Sequence, residues 1–402
     1  MTISNKSIAM TGCCGLYLAC VGNANDPGTW SSTPYHFLQA GRAAGLLSEG
    51  LALNPHTRLL RFSRVVWNSW HVLLGGAGGF QHSVAFLEEM WKPVRGRLGG
   101  AGVVNHFHLY PPSIVADSTI EKWFYMDATV RQVVESYGMR VSRRTLNEVM
   151  AREREGYLSA AGVCTMSGFA AQSVIADYGV PREKVHVVVP GANITAEAYA
   201  QWESRQTRGG PVGEGPLKLV FVGREFHRKG LDRLLEALAL GRRRGLRATL
   251  RVIGLSAADV PSHLAGIEGV EWCGLISRRT EPQRFFDLVS ECHVGCLLSR
   301  AEFSAIALRE YLAFGLAVIG PAVGGCMDLM APEASLPVSA AQTPDEIAEI
   351  LLELERDADR LEALRSAAWR LRHSALWSNS VRQFIEFRSS VSGLREPAAS
   401  QA

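Results

Sequence analysis

The chain has 402 residues, 47% hydrophobic and 20% charged, a composition suited to two globular domains with ordinary cores and not to a disordered or fibrous protein. Its 42 basic and 39 acidic residues leave a formal net charge of +3, so no global field favours nucleic acid as a partner. Eight cysteines without a paired extracellular spacing argue for a reducing, cytoplasmic setting.

Lys6 followed by the apolar run 8–22 imitates the charged start and short apolar core of a secretory signal, but the run reads better as a first core strand. It is too short to span a bilayer as a helix, and no other stretch reaches the length needed. Any membrane contact is therefore expected to be peripheral.

Strand-like runs at 16–21, 58–62, 102–106, 122–126 and 185–189 alternate with helical patterns in the first half. The second half repeats this at 217–222, 249–253, 270–273, 294–298 and 317–319. Such alternation predicts parallel sheets covered by helices, hence an α/β protein of two doubly wound, Rossmann-like domains. The stretch 206–216, rich in Gly, Pro and polar residues, has no apolar period and is the expected linker between a first domain, 1–205, and a second, 217–375. Three helical segments at 346–355, 360–373 and 378–387 follow without an intervening strand. The last of them, about 376–390, is expected to cross back and complete the first domain.

Ligands of open parallel sheets bind beyond the carboxyl ends of the strands, where helix N-termini offer unpaired amides. Asn105-His106-Phe107-His108 ends one strand, and His106 reads either as a hydrogen-bonding group for sugar or acceptor or as a satisfied structural histidine. Tyr125-Met126-Asp127-Ala128-Thr129 ends the next, with Asp127 either facing the ligand or capping the helix that follows.

In the second half, Val222-Gly223-Arg224-Glu225-Phe226-His227-Arg228-Lys229-Gly230 runs from a strand into a helix. Gly223 suits a tight turn, and Arg224 and Lys229 are cations between which a diphosphate can lie without a metal. Ser299-Arg300-Ala301-Glu302-Phe303-Ser304-Ala305 follows another strand. Ser304 reads as an N-cap that leaves the amides of Ala305 and its neighbours as a phosphate cradle beside Phe303. Glu302 and Glu310 are eight residues apart, about 12 Å if helical, and two acceptor-only carboxylates suit paired sugar hydroxyls.

Two features read as decoys. Cys292, His293 and Cys296 lie in an apolar strand whose alternation separates Cys292 from His293, and Asp357-Ala358-Asp359 copies a metal-binding triplet inside a solvent-facing helical pattern. No metal or other cofactor is expected. The arginine-rich stretches 140–154 and 241–245 read first as solvated helix faces, with anionic lipid or a phosphorylated acceptor as the alternative partner.

Glu302 and Glu310 with seven residues between them, the continuation Tyr311-Leu312-Ala313-Phe314-Gly315-Leu316-Ala317-Val318-Ile319, and Gly223-Arg224 to Lys229-Gly230 together resemble the retaining family 4 glycosyltransferases (glycosyl transferases group 1). The likeness is strong over residues 217–330. It implies a GT-B fold, two Rossmann-like domains facing across a cleft, and transfer of a sugar from a nucleoside diphosphate sugar to an acceptor hydroxyl in polysaccharide or glycoconjugate synthesis. It assigns Arg224 and Lys229 to the donor diphosphate, Glu302 to the transferred sugar and Glu310 to the ribose. The turn Gly324-Gly325-Cys326-Met327-Asp328 is similar to the family's glycine-rich turn.

The first half resembles the family more weakly. Gly28-Thr29-Trp30-Ser31-Ser32-Thr33-Pro34 is similar to a phosphate-facing loop, with Gly28 and Ser31 as donor contacts or Ser31 and Thr33 as ordinary caps, and with Ser32 where glycine is expected. Asp127 holds the level at which many relatives carry a catalytic histidine. Gly191 lies in a run to the interdomain cleft and lets the backbone approach the donor. The implied acceptor is a glycan, a lipid-linked glycan or a small molecule, and the implied location is the cytoplasm, at most peripheral to the inner membrane face. A sugar-nucleotide epimerase and a non-catalytic sugar-nucleotide-binding protein are the rival readings on the same fold.

Overall fold

A computed structural model describes residues 15–54, 58–73, 79–205 and 215–393. Twelve strands form two parallel sheets among these residues. The first contains β1 (Leu16–Val21), β2 (Leu47–Leu53), β3 (Gly102–His106), β4 (Glu121–Met126), β5 (Gly162–Thr165) and β6 (Val185–Val187), in the order β2-β1-β3-β4-β5-β6. The second contains β7 (Leu217–Val222), β8 (Ala248–Ile253), β9 (Val270–Gly274), β10 (Val294–Cys296), β11 (Ala317–Pro321) and β12 (Ser335–Val338), in the order β12-β11-β10-β7-β8-β9. Most of the expected linker, residues 206–214, lies outside the described residues.

The apolar runs became strands because helices cover both faces of each sheet, so a continuous hydrophobic run is satisfied on both sides. Leu219, Val220 and Phe221 of β7 are all buried, as are Val294 and Cys296 of β10. The expected strand at 58–62 is instead the start of a helix, α2 (Arg58–Leu73). The second strand falls earlier, in Leu47-Ser48-Glu49-Gly50-Leu51-Ala52-Leu53, at the sheet edge, where an exposed Ser48 and a half-buried Glu49 are tolerated. The short strands β5 and β12 were not marked by the apolar pattern.

The last helix, Trp377–Gly393, returns to the first sheet. Trp377, Val381, Phe384 and Phe387 are buried in one cluster with Leu16, Leu18, Trp123, Tyr125 and Phe37, the last from α1 (Thr33–Ala43). Gly191 belongs to this crossing: a side chain there would strike the backbone of Trp377. Its small size therefore serves this packing of the chain. No helix among the described residues is long and apolar enough to cross a membrane.

Candidate active site

β7 ends at Val222, and the loop to the helix Leu231–Arg243 is strapped to the loop after β10. Leu298 N–H donates to the Lys229 carbonyl at 3.2 Å, and Arg300 N–H to that of Arg228 at 2.9 Å. Gly230 takes φ +73° directly against the Leu298 carbonyl, so any side chain there meets backbone. The left-handed turn needed here is thus at Gly230, whereas Gly223 is crowded by the ring of Phe221.

This strapping brings Lys229 to Glu302 as an ion pair, and Arg228 adds a second contact to the same carboxylate at 3.0 Å. Arg228, unmarked in the sequence reading, is one residue from Lys229 and also grips Glu225. Arg224 is exposed and makes no ion pair among the described residues. Lys229 is thus engaged by a carboxylate, whereas Arg224 is not.

Glu310 is 1% exposed and lies in the helix Ile306–Ala313. Arg278, on the loop after β9, holds it through both guanidinium nitrogens, one at 3.0 Å. The same guanidinium lies 4.2 Å from the centre of the Phe285 ring. A buried carboxylate remains charged only with such a partner. Arg278 was missed because a lone Ser-Arg-Arg after a strand resembles any surface turn.

Ser304 does not cap this helix. The N-cap is Ala305, and the Ser304 hydroxyl is buried with no hydrogen-bond partner. Gly324, at φ +51°, and Gly325 press on the carbonyls of Glu302 and Phe303 and hold the loop extended, so the helix begins only at Ile306. Glu302 therefore precedes the helix, and the eight steps to Glu310 are not continuous helix.

The two lobes meet at this point. Phe303, 6% exposed, packs against Tyr137 at 5.3 Å between ring centres and Phe169 at 6.4 Å. Asp328, at the end of the glycine-rich turn, accepts from the Gly168 N–H of the first lobe at 3.1 Å. That amide opens the helix Gly168–Ala176, a favourable place for a carboxylate. His36 of α1 feels the charge of Arg278, which adds to burial in lowering its pKa to about 3.

On the first lobe, Asp127 follows β4. Thr129 caps the next helix, exchanging hydrogen bonds with Gln132 in a capping box, so Asp127 is released from that task. Burial, reinforced by the nearby negative charge of Glu302, pushes the Asp127 carboxyl up to about 7. His106 is fully buried and neutral, its pKa lowered to about 3 by burial, and its Nδ1 is 2.9 Å from the Tyr125 carbonyl. That contact makes Nδ1–H the donor and leaves Nε2, which is buried without a partner, as an acceptor.

The loop after β1 departs most from expectation. Trp30, Ser31 and Ser32 have φ of 45°, 55° and 71°, and Phe107 has 63°. Three consecutive left-handed residues other than glycine are strained. The strain is held by Asn193 Nδ2–H donating to the Ser31 carbonyl at 2.7 Å and by Trp30 Nε1–H donating to the Val21 carbonyl at 2.7 Å. The Gly28 amide donates to Asp26 Oδ1 at 2.9 Å. Neither Ser31 nor Thr33 caps α1.

The decoy segments have local roles. Asp357 caps the helix Ala358–Leu371 through the Arg360 amide at 2.8 Å, and His293 Nδ1 accepts from the Lys218 amide at 3.2 Å. No group of three or more metal-ligating side chains occurs among the described residues.

Residues 204–370 match the family model described as glycosyl transferases group 1. A D-inositol 3-phosphate glycosyltransferase from Catenulispora acidiphila is 29% identical over 239 residues, 56% of this chain and 56% of that protein. Its counterpart from Rhodococcus jostii is 29% identical over 53% of this chain and 49% of its own length. The chain thus spans about half the length of the curated relatives it matches. Among solved structures, WaaG, a glycosyltransferase involved in lipopolysaccharide biosynthesis, aligns with TM-score 0.58 at 15% identity over 94% of this chain and all of that one. Anabaena Alr3699/HepE, solved in complex with UDP and glucose, aligns with TM-score 0.58 at 14% identity over 93% of this chain. Those likenesses show the fold. The chain therefore has the two-lobed GT-B fold, and its second lobe matches the glycosyl transferases group 1 model.

Proposed function

We propose that the protein is a retaining glycosyltransferase that moves a sugar from a nucleoside diphosphate sugar to an acceptor hydroxyl, working in the cytoplasm in polysaccharide or glycoconjugate synthesis. The observation that carries this reading is the meeting of Lys229, Glu302 and Asp127 at the junction of the lobes, with Lys229 ion-paired to Glu302 and the Glu302 charge felt by Asp127. In this reading residues 1–205 with the last helix form the acceptor lobe, and 217–375 form the donor lobe.

Lys229 and Arg224 take the donor diphosphate as its charge grows, the Ala305 end of the helix adds its amides, and Glu310, steadied by Arg278, takes the ribose hydroxyls. Glu302, released from Lys229 by the incoming phosphate, turns to the hydroxyls of the transferred sugar. Asp127, when ionised, steadies positive charge at the anomeric carbon. The departing phosphate takes the acceptor proton, so no protein base and no metal is required. The contacts of Phe303 with Tyr137 and of Asp328 with Gly168 hold the lobes together and exclude water, the competing nucleophile.

The acceptor in this reading is a glycan, a lipid-linked glycan or a small molecule, reached with peripheral membrane contact. A thermal-shift and hydrolysis screen across nucleotide sugars tests the donor class: one nucleotide sugar is expected to stabilise the chain and be slowly hydrolysed. Absence of both effects across the full set refutes the reading.

A further inference from the structure

We propose that the outward face of α2 rests on an anionic lipid surface. Four large apolar side chains stand exposed on this one helix: Phe62 at 68%, Val65 at 63%, Val66 at 53% and Trp70 at 58%. At ~3.6 residues per turn they share about 140° of the helix circumference. Trp67 lies just beyond the Trp70 edge of this stripe and leans on the ring of Phe80, 6.3 Å away. The helix is thus attached through one edge and presents its apolar stripe away from the protein, where scattered single apolar residues would be ordinary but a contiguous stripe is not.

Charge selects the occupant. α2 contains Arg58, Arg61 and Arg64, and no acidic residue occurs between Glu49 and Glu88. A second arginine group lies close by. Position 79 is within contact of Thr145, which sets the exposed Arg143, with Arg144 paired to Glu148 at 3.0 Å, at the start of the helix Arg143–Ser159, beside the segment on which Trp67 leans. An exposed stripe of Phe, Val and Trp on a helix whose sequence carries arginine but no Asp or Glu matches the boundary between acyl chains and acidic headgroups. A second copy of the chain suits the face poorly, since a two-fold pairing would bring two segments of like charge together.

The surface extends the peripheral contact proposed above, and its test reads vesicle binding, which does not depend on glycosyl transfer. The full chain is co-sedimented with vesicles of phosphatidylcholine alone and of phosphatidylcholine with one third phosphatidylglycerol. Binding is expected only to the latter, weakened by salt, and reduced about tenfold or more in Phe62→Glu and Trp70→Glu. Because these side chains are exposed, both variants keep the parent's melting temperature and its hydrolysis of a confirmed donor. Equal binding by parent and variants, or no binding by the parent to acidic vesicles, overturns the proposal. So does sedimentation equilibrium in which the variants dissociate a dimer of the parent, because the face would then pair with a second copy.

Discussion

The ends of the strands in the two lobes solve different problems. In the second lobe the candidate groups are charged and already matched, Lys229 and Arg228 on Glu302 and Arg278 on Glu310. In the first lobe they are neutral or reluctantly charged: His106 held unprotonated, Asp127 raised to about 7, and a loop of three left-handed residues in place of a glycine turn. In the proposed function, fixed charges of the second lobe meet the donor diphosphate, while the first lobe contributes groups whose charge is controlled by burial.

The largest expected effect breaks the charged side of this comparison. Lys229→Met retains the apolar stem and should lower the transfer rate by roughly two to three orders of magnitude, the scale for one preorganised charge-stabilising group. Single-turnover kinetics on a confirmed donor check it. Full activity in the variant would make the loop an ordinary basic turn.

The two glutamates should separate next. Glu302→Gln is expected to lower kcat with little change in donor KM, while Glu310→Gln raises donor KM about tenfold, because ribose contact is made equally in ground and transition states. Steady-state kinetics of both variants decide this, and identical profiles would undo the assignment of separate roles.

On the first lobe, transfer should rise with pH through an apparent pKa near 7 as Asp127 ionises, and Asp127→Asn should lose that limb. Stability carries the same signature with its own sign. The folded carboxyl keeps its proton to about 7 while the unfolded one loses it near 4, so folding binds a proton between those values and stability falls as pH rises across them. Denaturant unfolding at pH 5 and pH 8 should show Asp127→Asn gaining more on the parent at the higher pH.

The smallest effect concerns the strained loop. Ser32→Gly removes one unfavourable left-handed side chain and should stabilise the fold by about 1 kcal/mol, net of the added freedom of the unfolded chain. Thermal unfolding measures it, and a loss of stability would mean that the Ser32 hydroxyl bond to the Pro27 carbonyl outweighs the strain.

The same contrast explains how much was legible in the sequence. Buried parallel strands such as Leu217–Val222 and Gly102–His106 announce themselves as apolar runs, whereas edge strand Leu47–Leu53 carries Ser48 and Glu49 because one edge is unpaired. Arg58–Leu73 was misread as a strand at its start because Leu and Phe between arginines fit either period. In the candidate site, Glu302, Glu310 and Lys229 stand out in the sequence through their spacing. Arg228 and Arg278 were not, since their partners are distant in sequence: Glu302 lies 74 residues from Arg228 and Glu310 lies 32 from Arg278. The Gly28 amide bond to Asp26 and the packing of Gly191 on Trp377 were not legible, because local sequence does not say what a glycine packs against.

The central claim is that the charged cluster around Lys229 and Glu302 promotes departure of a nucleoside diphosphate and delivery of the sugar with its configuration kept. Time-resolved proton NMR of the anomeric signal during turnover on a confirmed donor tests this most directly. The account predicts that the first product formed carries the donor's anomeric configuration and that Lys229→Met suppresses its appearance. A first product of the opposite configuration, or one formed at the parent's rate by Lys229→Met, would contradict it.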